Sequence, residues 1–372
     1  MPWVLFTQLR KGHMGQYIFR RIVASLPVLV GVVLVTFALA RLIPGGPCVA
    51  MLGEKATQAA CARFDHDKGF DRPIPVQLAF YIRDVVTGDL GTSIRFNRTV
   101  TQLIVERLPL TVELGLIALV IATLIGIPAG ILSAIRRNSA IDVATMIGAN
   151  IGVSMPVFWL GLMLAYVFAL VLKGTPFALP PSGRLSSGIA SIPFYQMYGW
   201  TFTKGTFADG TAQFFANLYI FNAIITFQWN VLGDALKHLI LPSVALATIP
   251  MAIIARMTRA SMLDVLGRDY VRTARAKGLA SLRVIMAHAF RNALLPIVTI
   301  IGLQLGGVFS GAVLTETIFG LAGVGRLLTE AITARDYPVI QGFTLVIAFC
   351  YVAVNLIVDL SYAFFDPRIR FE

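Results

Sequence analysis

Charge is scarce in this chain. Only 13% of its 372 residues are charged, against about 25% in a soluble domain, which argues against an ordinary soluble globule. Catalytic and metal chemistry are also thin. The three cysteines and four histidines are scattered, with no clustered metal-ligand spacing. No H-E-x-x-H and no nucleophile elbow occurs. Nor does any Gly-Lys pair, which excludes the phosphate-cradling loop G-x-x-x-x-G-K-[ST] and with it a P-loop ATPase within this chain. Across the apolar runs there is no mid-bilayer row of ionisable residues: Glu113, Arg256 and Asp359 all sit near the ends. A proton- or ion-coupled pump needs such groups along its route, so their scarcity counts against a secondary transporter.

What fills the chain is apolar residue, 57% of it. Continuous runs stand at about 22–43, 110–135, 143–172, 238–257, 292–315 and 339–362. Each approaches or exceeds the ~20 residues a helix needs to cross hydrocarbon, whereas a transmembrane β-barrel would show alternating segments of ~10 residues. The expected fold is all-α with six transmembrane helices. Outer loops fall at 44–109 and 173–237, and a further loop at 258–291. Lys and Arg are about twice as dense on the side holding 258–291 and both termini. The positive-inside rule then places both termini in the cytoplasm. The net charge of +12 is accounted for by this orientation signal, and no basic patch interleaved with aromatics points to nucleic acid. Arg20-Arg21 precedes a run too long for a signal-peptide core, so no cleavage is expected. Residues 1–13 are weakly patterned and read as an extension ahead of a domain spanning 14–372.

One further segment, 214–232, is apolar but carries Asn217, Asn222, Gln228 and Asn230, each costly in hydrocarbon. It is expected to lie outside or at the interface. Cys48 and Cys61 both fall in the first outer loop, where the compartment permits disulfides. A bridge between them is expected, the alternative being two free thiols. Cys350 is a buried apolar residue within a span. Gly126-x-x-x-Gly130, Gly148-x-x-x-Gly152, Gly302-x-x-x-Gly306 and Gly307-x-x-x-Gly311 offer close helix contacts, within the chain or with a second subunit. Pro128, Pro156, Pro242, Pro250 and Pro296 lie in or at the ends of spans, where each can kink its helix.

The most informative segment is Asp269-Tyr-Val-Arg-Thr-Ala-Arg-Ala-Lys-Gly278, inside the loop 258–291. Asp269 offers an N-cap carboxylate. Arg272, Arg275 and Lys277 load the later part, where cations suit the negative helix end. Gly278 fits the C′ position that favours positive φ. The segment predicts a helix of about two turns, whose small Ala274 and Ala276 let it enter a groove. Its partner, from these features alone, is either anionic lipid or protein. Leu282–Phe290 follows as a second amphipathic stretch returning to the membrane.

Arg272-Thr-Ala-Arg-Ala-Lys-Gly278 resembles the cytoplasmic coupling loop of ABC-importer permeases. It departs from their general E-A-A-x-x-x-G pattern at the Glu, as the dipeptide/oligopeptide branch does. Further matches are Gly88-Asp-Leu-Gly-Thr-Ser93, Ser154-Met-Pro-Val-Phe-Trp159, Arg256-Met-Thr-Arg-Ala-Ser-Met262, Glu316-Thr-Ile-Phe319, Arg335-Asp-Tyr-Pro338 and Asp366-Pro-Arg-Ile-Arg370. The resemblance covers about 14–372, and the long second outer loop is more like the dipeptide type. It implies a type I ABC-importer permease fold in a bacterial inner membrane, embedded in lipid. It implies a second homologous permease, two ATPase subunits binding ATP and Mg, and an extracytoplasmic binding protein that delivers di- or oligopeptides. This chain would bind no cofactor and would not be an enzyme. Asp269, Tyr270, Arg272, Thr273, Ala274, Arg275, Ala276, Lys277 and Gly278 would form the helix that docks on an ATPase, with Ala274 on the docking face. Arg184, in the outer loop, is expected to be remote from this coupling. Alternative cargoes within the same family are nickel–chelate, glutathione or oligosaccharide; a self-contained channel or secondary transporter is the reading from another class.

Overall fold

The computed structural model describes residues 19–38, 48–49, 52–53, 56–69, 71–93 and 95–365. The extension 1–13 and the Asp366–Arg370 motif lie outside them. Among the described residues no strand forms beyond one isolated bridge, Thr92 to Thr99. The helices are α1 Phe19–Ala38, α2 Gln58–Lys68, α3 Ile74–Thr87, α4 Val100–Ile135, α5 Ala140–Ser154, α6 Val157–Ala165, α7 Phe194–Met197, α8 Phe207–Ala216, α9 Tyr219–Ile225, α10 Trp229–Leu266, α11 Asp269–Ala276, α12 Arg291–Ile318, α13 Val324–Ala334 and α14 Tyr337–Phe365.

Five of the described helices are long and apolar enough to cross a membrane, and six spans result if α5 counts as one with α6 and its π-helical continuation Tyr166–Val171. That pair is bent by 99°, so the continuous span expected at 143–172 is corrected to a broken one. The cause is local. Pro156 disfavours helical backbone at the residue before it, and Met155 is extended, with φ −78° and ψ 123°. By contrast Pro109 and Pro128 in α4, Pro242 and Pro250 in α10 and Pro296 in α12 stay inside unbroken helices. The spans also run past their apolar cores. At ~1.5 Å per residue α4 is about 54 Å long, well beyond the ~30 Å of hydrocarbon.

The centre of the bundle is the pair α4 and α10. Leu110, Leu114, Ala118 and Ala122 of one meet Leu239, Ala245, Leu246 and Ile254 of the other, all buried. Gly126 and Gly130 bring the backbones together. A Cβ on Gly126 would stand 2.8 Å from the Met251 carbonyl oxygen, and one on Gly130 2.5 Å from that of Ala255. Both contacts advance by four residues in the same sense, so the two helices run parallel. Gly302 and Gly306 do the same for α12 against α14, where a Cβ would meet Val358 at 2.3 Å and Tyr351 at 2.5 Å. Here the order reverses, and the helices are antiparallel. A Cβ on Gly148 or Gly307 would meet no atom within 4 Å beyond its own helix.

Residues 214–232 form no span. They divide among the end of α8, α9 and the start of α10. Asn222, fully buried, spends its side chain on the loop: Oδ1 accepts from Phe194 N (2.8 Å), and Nδ2 donates to the Ile192 carbonyl (2.8 Å) and Ser191 Oγ (3.0 Å). Phe194, Tyr198, Trp200, Phe215, Phe221 and Ile225 line an open apolar hollow of about 640 Å³ on this subdomain. In the loop after α1 Cys48 and Cys61 are joined by a disulfide, and α3 is tied to α1 through Tyr81 Oη and Thr36 Oγ1 at 3.3 Å.

Candidate coupling site and the network at the opposite end

The segment singled out by sequence is α11, and its stop follows from its own residues. Gly278 takes φ +72°. Its N–H donates to the Arg275 carbonyl (2.9 Å) and that of Leu279 to the Ala274 carbonyl (3.4 Å). This is the Schellman pairing that satisfies the last carbonyls of a helix. The start differs from expectation. Asp269 is the first helical residue, not the N-cap; Arg268 occupies that place, with no side-chain cap bond. The Asp269 carboxylate instead stands 3.7 Å from Arg272 Nη1, with both side chains exposed.

The docking face also needs correction. Val271 and Ala274 are buried, packed with Val284 and flanked by Val265, Leu266 and Leu279. Ala274 therefore seals α11 onto its own chain. With the inner face so defined, Asp269, Arg272, Thr273 and Ala276 lie on the opposite one, at the i, i+3, i+4, i+7 spacing of a helical stripe. All four are exposed, as are Tyr270, Arg275, Lys277 and Gly278.

The stretch after α11 is a single turn, Ser281–Arg283, then a π-helical segment, Val284–Phe290, that continues without a break into α12. Val284 at its start belongs to the α11 cluster. Ala289 near its end packs in the base of the bundle with Ala134, Met262, Ala293 and Ile297. The wide turn thus stands between α11 and the packed spans. Widened turns of this kind are frequent at functional sites.

At the opposite end three acidic side chains tie the loops and short helices to the spans, and sequence reasoning missed their roles. Glu113 on α4 accepts from Arg184 Nη2 (2.7 Å) and from Ile220 N (2.8 Å). Arg184 also donates to the Asn217 carbonyl, and its guanidinium lies 3.5 Å from the Tyr219 ring centroid. Glu316, fully buried, accepts from Thr111 Oγ1 (2.6 Å), Gly325 N (2.7 Å) and Arg326 N (3.2 Å). No cation pairs with it among the described residues; it is the positive N-terminus of α13 that it faces. Gly323 permits the approach, since a Cβ there would meet the carboxylate at 2.3 Å. Asp336, buried, accepts from Ser93 Oγ (2.5 Å) and Arg95 N (3.1 Å). It joins two motifs some 240 residues apart, Gly88–Ser93 and Arg335–Pro338, with Gly91, at φ +82°, close to Pro338. The sequence signal for Glu316 was its place in the matched motif Glu316-Thr-Ile-Phe319, which did not say what the carboxylate would hold.

Arg184 is therefore a bundle-to-loop clamp. Its side chain is 16% exposed and that of Glu113 7%. Arg184→Ala leaves Glu113 buried without its cation, a change that costs about 3–5 kcal/mol for an enclosed pair. The expected result is earlier thermal unfolding of the purified protein and faster proteolysis between 185 and 217; unchanged melting and cleavage would refute the clamp.

Among the described residues no group of three or more His, Cys, Asp or Glu is placed to hold a metal. A family model described as "binding-protein-dependent transport system inner membrane component" matches residues 126–371. The model of that family's N-terminal part matches 14–115. The chain is 45% identical over 355 residues to the dipeptide transport system permease protein DppB of Alkalihalophilus pseudofirmus, covering 95% of this chain and 99% of that one. It is 43% identical to DppB of Escherichia coli, with 96% and 99% covered. It is 40% identical to the di/tripeptide transport system permease protein DppB of Pseudomonas aeruginosa, with 96% and 100% covered.

Proposed function

Since this chain belongs to the family of inner membrane components of binding-protein-dependent transport systems, we propose that it forms half of an ATP-driven pathway for di- and oligopeptides. It is a multi-pass bacterial inner-membrane protein, the transmembrane subunit of an ABC importer. The other half of the pathway is a second, homologous permease. Two ATPase subunits hold ATP and Mg and take up one coupling helix each, and an extracytoplasmic binding protein delivers the peptide. The loop 258–291 and both termini face the cytoplasm. This chain itself does no chemistry on the peptide or on ATP. The dipeptide and di/tripeptide permeases among its relatives support a peptide cargo over nickel–chelate, glutathione or oligosaccharide.

The observation that carries the reading is the two-sidedness of α11. One face is sealed by Val271 and Ala274. The other displays Asp269, Arg272, Thr273 and Ala276, with a Schellman stop at Gly278 holding its end. A helix fastened this way moves as a unit with whatever grips its free face.

The test uses the assembled complex in proteoliposomes, with radiolabelled dipeptide, the binding protein and ATP inside. Thr273→Asp and Ala276→Trp alter the free face without touching the sealed one. Both variants are expected to insert normally, yet to co-purify with less ATPase and to lose about thirtyfold or more in uptake, the size of a lost interface hot spot of ~2 kcal/mol. Full uptake by both variants, or uptake by this chain without any ATPase subunit, would sink the proposal.

A further inference from the structure

We infer that Asp142 and Arg259 form a clasp that makes α5 follow the coupling helix, a positioning pair for transport outside the docking face itself. The inference rests on the coupling reading above.

Helix α5 is joined to the rest of the subunit in an unusual way. Of its fifteen residues the only buried one is Asp142. Its large apolar side chains Val143, Ile147 and Ile151, four residues apart, are each more than half exposed and point away from the bundle. At the same end of the molecule α4, α10 and α12 meet through apolar contacts of Ala134, Met262, Ala293 and Ile297. Such contacts slide and repack at modest cost. What holds α5 here is polar and directional.

The Asp142 carboxylate receives four donors. Arg259 Nε and Nη2 grip its two oxygens at 2.7 and 2.8 Å. Ser133 Oγ donates from the end of α4, and Asn138 N donates at 3.0 Å from the turn between α4 and α5. The Asp142 side chain is 5% exposed. A bidentate fork of this kind fixes distance and orientation together, which a single point charge does not. The sequence hides it. Ser139-Ala-Ile-Asp142 has the form of a capping box, and Ser139 does accept from Asp142 N at 3.4 Å. The carboxylate, however, has gone to α4 and α10.

Position gives the clasp its role. Arg259 lies seven residues before the end of α10 at Leu266, about 10 Å along the axis. Leu266 belongs to the cluster that fastens α11. A displacement of α11 therefore reaches Arg259 through one rigid helix and is passed to α5 by the fork. From there α5 leads through the bend at Met155–Pro156 into α6, where Gly161 comes against Phe319 at the far end of α12. Arg256 Nη1 to Asn150 Oδ1, at 3.3 Å, is a second and more exposed link between the same two helices.

The experiment measures uptake per ATP hydrolysed in proteoliposomes loaded with equal amounts of complete complex. Asp142→Asn removes the charge and Arg259→Lys keeps the charge but loses the fork. Both are expected to co-purify with the ATPase subunits and to hydrolyse ATP. Uptake per ATP should fall about tenfold in Asp142→Asn, a typical coupling loss, and by a smaller factor in Arg259→Lys. Wild-type ratios in both variants would overturn the clasp while leaving the peptide-import reading intact. Failure of both to accumulate would also overturn it, since the pair would then serve folding alone. If Asp142→Asn alone fails to accumulate, Arg259→Lys decides. No ATP-driven uptake by the wild-type complex would instead overturn the underlying reading, and the clasp with it.

Discussion

Gly130→Val is expected to leave almost no folded protein in the membrane. A Cβ at this position would stand 2.5 Å from the Ala255 carbonyl oxygen and 2.6 Å from the Thr258 Cβ. The obstacle is a backbone oxygen inside a helix and the first atom of a buried, β-branched side chain, so neither neighbour can swing aside. Separating α4 from α10 would open the central contact of the bundle, where Leu110, Leu114, Leu239 and Ile254 are packed. Overpacking of a side chain costs about 1–3 kcal/mol where neighbours can adjust. With a backbone obstruction the cost exceeds that and takes a large share of a total stability of about 5–15 kcal/mol. Even Gly130→Ala should lower the melting temperature and the yield. Gly148→Val is the comparison. A Cβ on Gly148 would meet no atom within 4 Å beyond its own helix, so this variant should accumulate as the wild type does. Equal yields of Gly130→Val and wild type would show that α4 and α10 do not meet backbone to backbone.

Ala274→Asp is expected to destroy coupling by unseating α11, and the comparison with Ala276→Asp separates folding of the loop from docking. Ala274 is 6% exposed, between Val271 and Val284. A carboxylate there has no partner among aliphatic side chains, and an unpaired buried charge costs several kcal/mol. The two-turn helix has few other contacts with which to offset that. Proteolysis within 268–283 should become rapid in the permease alone, and ATP-driven uptake by the complex should vanish. In Ala276→Asp the added charge is exposed, so the loop should resist protease as the wild type does while uptake falls. Equal protease resistance of the two variants would show that Ala274 does not seal the loop.

The difference between these two alanines illustrates what was legible in advance. Both are small, both lie in the family segment, and each alone is compatible with a groove. Their helix and its stop are local matters. Cations late in the helix and a glycine free to adopt positive φ are read directly off 269–278. Which side of the helix faces the chain depends on Val265, Leu266 and Val284, elements that only the return of the chain brings alongside. The expected N-cap at Asp269 was one residue late for the same local reason that boundaries are soft: neither Arg268 nor Asp269 makes a capping bond, so no side chain marks the start.

The sequence by itself determined that this is a helical membrane protein, because each unsatisfied peptide group in hydrocarbon costs several kcal/mol and long apolar runs must therefore close their hydrogen bonds within themselves. Its motifs likewise named the family and singled out 269–278 as a short helix with a glycine stop, and Pro156 was among the prolines that could kink a span. Only the tertiary structure decided what the polar residues do. Glu113 holds the loop 173–237 through Arg184, Glu316 caps a helix that follows it, and Asp142 grips Arg259 from 117 residues away. It also decided that Gly126, Gly130, Gly302 and Gly306 serve contacts within the chain, and that the third span bends by 99°. The physical reason is the same in each case. Hydrogen bonding along a helix depends on residues four apart. The partner of a buried charge or the neighbour of a glycine is set by where distant helices cross.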